Sequence, residues 1–209
     1  MLEKKKILRK IIKVRVSAIS AEEKAKREKL LLDNLFSMPE FLAANTVMLF
    51  ANLPDEIGTF SLIDKCIAMG KKVFLPVING DDMTACEFTG EYRVGRYDIK
   101  EPVVKQLGVN GLVTESRDNA CIVRDSVPEP VDVLLTDREK EPEHFDFILV
   151  PGVAFSPNGY RLGRGKGYYD KFLSKYSNLF TVGVCFREQF YLDIPTEPHD
   201  IPMQRVLVV

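Results

Sequence analysis

Histidine is scarce in this 209-residue chain, where only His144 and His199 occur. Cys66, Cys86, Cys121 and Cys185 are scattered, with no Cys-x-x-Cys pair. These scarcities argue against a zinc site, and a cytoplasmic protein with reduced thiols is expected. No apolar run approaches the roughly 18–20 residues that span a bilayer. The start, Met1-Leu2-Glu3-Lys4-Lys5-Lys6, lacks the apolar core of a secretion signal. An excess of charge is missing too. Lys and Arg total 29 against 30 for Asp and Glu, a net charge of -1. No global field points to nucleic acid or a membrane, and neither is an expected partner. There is no internal repeat and no low-complexity tract. What remains is an ordinary globular composition, sized for one domain or a domain with an elaboration.

Within that composition, residues 3–16 predict a basic amphipathic helix with Ile7, Leu8, Ile11 and Ile12 as its apolar stripe. Ser20 and Glu23 read as a capping box for a second helix, ending near Leu35, with Pro39 in the break after it. Residues 46–50 read as a buried strand and 60–69 as a helix capped by Thr59 and stopped by Gly70. A strand follows at 72–76. That makes one βαβ unit with a right-handed crossover. Residues 145–150, a glycine loop, a helix from Gly167 to about Tyr176 and a strand at 181–186 make a second. The expectation is α/β: a single three-layer domain over residues 1–209, with a mostly parallel sheet and helices on both faces. An insertion is expected at about 103–143, where 108–111 and 128–130 mark turns and 131–135 a strand.

The glycine loop carries the most chemistry. In Arg161-Leu162-Gly163-Arg164-Gly165-Lys166-Gly167-Tyr168-Tyr169-Asp170, cations alternate with glycines between a strand and a helix. Glycines let backbone N–H groups approach phosphate oxygens, the cations neutralise charge, and a helix N-terminus adds partial positive charge. It is neither a Walker loop nor a dinucleotide fingerprint. From the residues alone, a polyphosphate cradle and a merely tight turn both remain open. Asp170 is either a magnesium ligand or a first-turn acid favoured by the helix dipole. Tyr168, Phe172 and Tyr176 also fit a helix's core stripe. Lys5 and Arg9, four apart on one helix face, suit a solvated basic face, a membrane-surface helix or a grip on phosphate.

Pro151-Gly152, Phe155, Gly159 and the run from Arg161 to Asp170 resemble the signature of the 5-formyltetrahydrofolate cyclo-ligase family, also called 5,10-methenyltetrahydrofolate synthetase. The basic first helix, Asp55-Glu56-Ile57 with Thr59, and His199-Asp200 agree in order. Residues 97–102 loosely match a family Gly-Ile-x-Glu-Pro segment. The resemblance implies an ATP- and magnesium-dependent enzyme that converts 5-formyltetrahydrofolate to 5,10-methenyltetrahydrofolate through a phosphorylated formyl intermediate. Its implied partners are ATP and a reduced folate, and a monomer is expected. Arg164 and Lys166 would be catalytic. Lys5, Lys6, Ile7, Leu8, Arg9 and Arg161, Leu162, Gly163, Arg164, Gly165, Lys166, Gly167, Tyr168 and Tyr169 would bind ATP. Leu53, Glu56 and Gly58, with Arg164, Gly165, Lys166, Gly167 and Tyr168, would meet the folate. Asp170 and Asp200 would hold Mg2+.

The chain departs from the family at two places. Gly58 stands where the family has an acid that contacts the pterin, so either that contact is lost or Glu56, two residues earlier, takes it over. Gln204 stands where a late aspartate is frequent. Two other readings remain: a non-catalytic or differently specific ATP- or phospho-ligand-binding relative, and a sugar-phosphate isomerase or CoA-transferase-like enzyme on a similar sheet.

Overall fold

The computed structural model describes residues 2–94, 100–103, 106–107, 113–114, 122–123 and 142–209. Its helices are α1 (Leu2–Ser17), α2 (Ala21–Phe36), α3 (Pro39–Ala43), α4 (Phe60–Ala68) and α5 (Tyr168–Leu173). The principal strands are β1 (Thr46–Met48), β2 (Lys72–Asn79) and β3 (Asp82–Glu87). Short strands follow as β4 (Tyr92–Val94), β5 (Lys100–Pro102), β6 (Gln106–Leu107), β7 (Val113–Thr114) and β8 (Ile122–Val123). The chain then forms β9 (Phe147–Val150), β10 (Ala154–Phe155), β11 (Arg161–Leu162), β12 (Thr181–Cys185) and β13 (Arg205–Val208).

The main sheet runs β13-β12-β9-β1-β2-β3. All neighbours on that path are parallel except β2 and β3, which form an antiparallel hairpin. β8 adds to β2 in parallel at Ile78 and Asn79. Both expected βαβ units are present, β1-α4-β2 and β9-α5-β12. Strand alternation then divides the core. Val47, Val73, Leu75, Phe147, Leu149, Val182 and Val184 face one side, where α1, α2, α3 and α4 bury Ile12, Leu35, Phe41 and Leu62. Met48, Phe74, Ile148, Val150 and Cys185 face the other, where α5 buries Phe172 and Leu173. That is the expected three-layer α/β arrangement. Gly183 of β12 leaves space for a ring, since a Cβ there would lie 2.2 Å from Phe155.

Local expectations differ in detail. Ser20 does cap α2, its hydroxyl accepting from the Glu23 N–H at 3.2 Å, but the Glu23 carboxylate takes Arg27 at 2.9 Å and does not close the box. Pro39 opens α3 as its first residue. The strand expected to end near Pro76 continues to Asn79. Pro76, which lacks an N–H, falls beyond the β1 pairing at Phe74 and before the β8 pairing at Ile78. The helix expected to reach Tyr176 ends at Leu173, so α5 has six residues and a small dipole. Within the 103–143 stretch, β6 and β7 pair antiparallel. The turns expected at 108–111 and 128–130, and the strand at 131–135, lie outside the described residues. Among the described residues, no helix is long and apolar enough to cross a membrane.

Candidate active site

Because β1, β9 and β12 are parallel, their carboxyl ends share one edge of the sheet. The loops that leave this edge carry most of the residues singled out in the sequence. His144 precedes β9 and lies at the opposite edge, where Asp146 accepts the N–H groups of Asn45 and Thr46 at 2.8 and 2.9 Å.

The loop after β1 is braced by its own bonds. Leu53 N–H donates to Glu56 Oε2 at 2.9 Å and Glu56 N–H returns to Leu53 O at 2.9 Å. Asn52 Oδ1 takes the Thr59 N–H at 2.9 Å, while the Thr59 hydroxyl donates to Phe50 O. Thr59 therefore staples the loop without capping α4 through its side chain. Glu56 is thereby fixed low in the loop. Burial pushes its carboxyl above the ordinary carboxylate range, against the opposing pull of the Leu53 N–H and Arg164.

After β9 the chain does not pass straight into a glycine loop. It first makes the β10-β11 hairpin, and Arg161 is a β11 residue only 6% exposed. A basic run looks solvent-facing in sequence, but this guanidinium turns inward to Asp170 Oδ1 at 3.0 Å and lies over the Tyr169 ring. Burial lowers its pKa, and Asp170 opposes the shift. Leu162 is buried beside it. The loop then opens at Gly163. Gly165 and Gly167 have φ of 109° and 69°, values that glycine alone adopts without strain.

Four of the six cations expected at phosphate are already engaged. Lys5 lies 2.9 Å from Glu197 and 3.2 Å from Asp200. Burial works against its charge, yet bonds to both carboxylates leave its ammonium above the ordinary pKa. Arg9 donates to Gly163 O at 2.9 Å and so ties α1 to the glycine loop. Arg161 holds Asp170. Arg164 reaches across to Asp55 at 2.8 Å and Glu56 at 3.0 Å. Lys166 is exposed, and among the described residues it has no ion-pair partner. Lys6 and Ile7 are exposed on α1, whereas Leu8 packs against the core. Tyr168 packs into the α5 core and its hydroxyl donates to Gly80 O at 3.1 Å.

A cleft opens between α1 and the two loops, lined by Arg9, Lys13, Asp55, Glu56, Arg164 and Gln189. Gln189 is buried and spends its amide on the Gly152 and Val153 carbonyls at 3.0 and 3.1 Å, which fixes the chain leaving β9. Asp170 and Asp200 pair with Arg161 and Lys5, respectively. Asp170 Oδ1 also accepts the Ile201 N–H at 3.2 Å, and Asp200 Oδ2 the Glu197 N–H at 2.7 Å. Glu197, His199 and Asp200 bring one potential ligand atom each within 4.8 Å of one another. Gln204 is structural, its side chain accepting the Thr181 N–H at 3.0 Å.

Three residues were missed or undervalued in the sequence. Glu197 pairs with Lys5 from 192 positions away. Asp55 takes Arg164 beside Glu56. Glu28, on α2, places its carboxylate against Gly58, where an added Cβ would lie 2.3 Å from Glu28 Oε2. Only the Asp-Glu pair was locally visible as a possible cation partner.

The sequence profile of the 5-formyltetrahydrofolate cyclo-ligase family matches residues 1–209. The 5-formyltetrahydrofolate cyclo-ligase of Mus musculus is 26% identical over 210 residues, spanning 97% of this chain and 92% of the relative. A probable 5-formyltetrahydrofolate cyclo-ligase of Schizosaccharomyces pombe is 33% identical, spanning 78% and 74%. The solved 5,10-methenyltetrahydrofolate synthetase of Aquifex aeolicus superposes with a TM-score of 0.68 at 28% identity, covering 98% of this chain and 89% of that one. That of Mycoplasma pneumoniae gives 0.64 at 18% identity, covering 97% and 96%, a likeness of fold. The chain belongs to the 5-formyltetrahydrofolate cyclo-ligase family and is a ligase.

Proposed function

We propose that the cleft joins ATP to 5-formyltetrahydrofolate and closes the latter to 5,10-methenyltetrahydrofolate, releasing ADP and phosphate. The observation that carries this reading is the meeting of a cationic glycine loop and an acidic loop at one sheet edge, bridged by Arg164. Such an edge is where open α/β sheets bind ligands. Cations suit a polyphosphate, and carboxylates suit the N–H donors of a pterin.

The chemical obstacle is a poor leaving group, because a formamide oxygen does not depart unaided. Transfer of the γ-phosphoryl group to that oxygen gives an imidate phosphate. The N10 amine attacks the formyl carbon, the C–O bond breaks, and inorganic phosphate leaves with the former formyl oxygen. The protein's part is positioning and charge neutralisation. Lys166, exposed and unpartnered among the described residues, supplies a point charge, and Arg164 a planar fork. Asp170 and Asp200 are hard oxygen donors of the kind magnesium prefers. Asp170 keeps Oδ2 outside its hydrogen bonds among the described residues, so the donor chemistry fits. Magnesium held there would supply charge against the phosphates.

The missing acid at Gly58 favours a differently specific relative. Glu28 answers that objection, because its carboxylate occupies the space beside Gly58 and adds a second acid to Glu56 for the pterin contact. The test is turnover. Purified protein with ATP, magnesium and 5-formyltetrahydrofolate is expected to form the methenyl chromophore with one ADP per product. Product formation without ATP, or ATP binding with no product, would overturn the reading.

A further inference from the structure

Arg164 is bonded in an unusual way for a cation meant to grip phosphate. One nitrogen, Nη2, makes both contacts, to Asp55 Oδ1 at 2.8 Å and Glu56 Oε1 at 3.0 Å. The rest of the guanidinium is outside this bond, and the side chain is 48% exposed. Its two acids differ. The Asp55 side chain is 40% exposed and that of Glu56 only 12%. Among the described residues, Glu56 otherwise has the Leu53 N–H alone. Lys13, across the cleft on α1, is a second cation near Asp55.

We infer that Asp55 is a positioning residue that holds Arg164 on the acidic loop, making Arg164 a shared counter-ion through which the two ligands of the cleft promote each other's binding. The inference rests on the proposed reading of the site. The half-exposed Asp55 pair is weak and both acids share one nitrogen, whereas a phosphate offers a guanidinium two parallel bonds. Phosphate therefore draws Arg164 off the acids. Glu56 is then a poorly solvated carboxylate with one backbone donor, and it accepts an N–H from the second ligand more strongly than before. The reverse holds as well. A ligand that donates to Glu56 loosens its hold on Arg164 and frees the fork for phosphate. Linkage requires the two effects to be equal. No proton is transferred and no covalent bond changes.

The test is calorimetric titration of the whole protein with magnesium and a non-hydrolysable ATP analogue, with and without saturating 5-formyltetrahydrofolate. In the parent, folate is expected to raise analogue affinity about five- to twenty-fold, and the analogue to raise folate affinity by the same factor. Asp55→Asn removes part of the restraint on Arg164. It is expected to bind the analogue about two- to five-fold more tightly without folate, the range of an exposed ion pair. The folate-induced gain should shrink correspondingly. A merely structural Asp55 predicts the opposite sign, with weaker binding throughout. Asp55→Glu, which restores the carboxylate, should return towards the parent. Equal affinities with and without folate in the parent, or no gain in Asp55→Asn, overturn the inference and leave the proposed reaction standing. Failure of the parent to bind either ligand overturns both.

Discussion

The two βαβ units of the sheet follow one topological plan and finish with opposite charge at the same edge. After β1 the chain closes a short acidic loop on itself through the Leu53–Glu56 and Asn52–Thr59 bonds. After β9 it inserts a hairpin, buries Arg161, and only then exposes Arg164 and Lys166 on a loop with two positive-φ glycines. The acidic loop is a preformed wall. The cationic loop is tied to the molecule at Gly163 by Arg9 and across the cleft by Arg164. Proximity in sequence says little about function here. Arg161 and Arg164 are three residues apart, yet the first holds the fold together and the second faces the cleft.

That contrast breaks most visibly at Asp170. Asp170→Ala strands the buried Arg161 charge, whose side chain is 3% exposed. A stability loss of about 3–5 kcal/mol is expected in denaturant unfolding. An unchanged midpoint would show that the Arg161–Asp170 pair is dispensable. Loss of metal-dependent activity in such a variant must therefore be read beside its stability.

Lys166→Ala leaves the fold intact and strikes ATP use. Loss of a direct, charge-assisted phosphate contact is expected to lower kcat/KM for ATP by about ten- to a hundred-fold, with unfolding unchanged. Parent-like kinetics would remove Lys166 from the mechanism.

On the acidic side, Glu28→Gln is expected to raise the folate KM by about ten-fold, with ATP affinity unaltered. Gly58→Ala should act in the same direction by pushing that carboxylate aside. If both variants bind folate like the parent, Glu28 does not read the pterin.

The smallest effect is a titration. Burial raises the Glu56 pKa and Arg164 partly restrains it, so Arg164→Ala should raise it further, as followed by carbon NMR of the carboxyl. The consequence for stability has a definite sign. A raised carboxyl binds its proton more readily in the folded state. Its contribution is fully present below the ordinary value of 4.5 and is lost as pH rises through the folded value. Asp55 runs the other way. Burial tends to raise it, but Arg164 outweighs that and leaves it below 3.8, so its contribution is present above 3.8 and lost as pH falls through the folded value. An unmoved Glu56 titration in Arg164→Ala would mean that the two groups do not communicate.

Local chemistry explains what the sequence could reveal. Apolar periodicity, the Ser20 cap and the Gly70 stop are short-range signals, and both βαβ units followed from them. The β10-β11 hairpin has two-residue strands, too short for any period to register. The fates of Lys5 and Arg164 were illegible because they depend on partners far away in sequence, Glu197 and Asp55, and distance likewise hid Glu28 against Gly58. The signature around Arg161 made the family recognisable. It could not distinguish a buried structural guanidinium from one facing the cleft, because both are arginines within two residues of Gly163.

In the proposed reaction the two loops bring the γ-phosphoryl group to the formyl oxygen. The most direct measurement is single-turnover conversion of 5-formyltetrahydrofolate carrying oxygen-18 in its formyl group, followed by mass analysis of the released phosphate. One labelled oxygen is expected in each phosphate formed. Unlabelled phosphate, with the label recovered in water, would contradict that reaction.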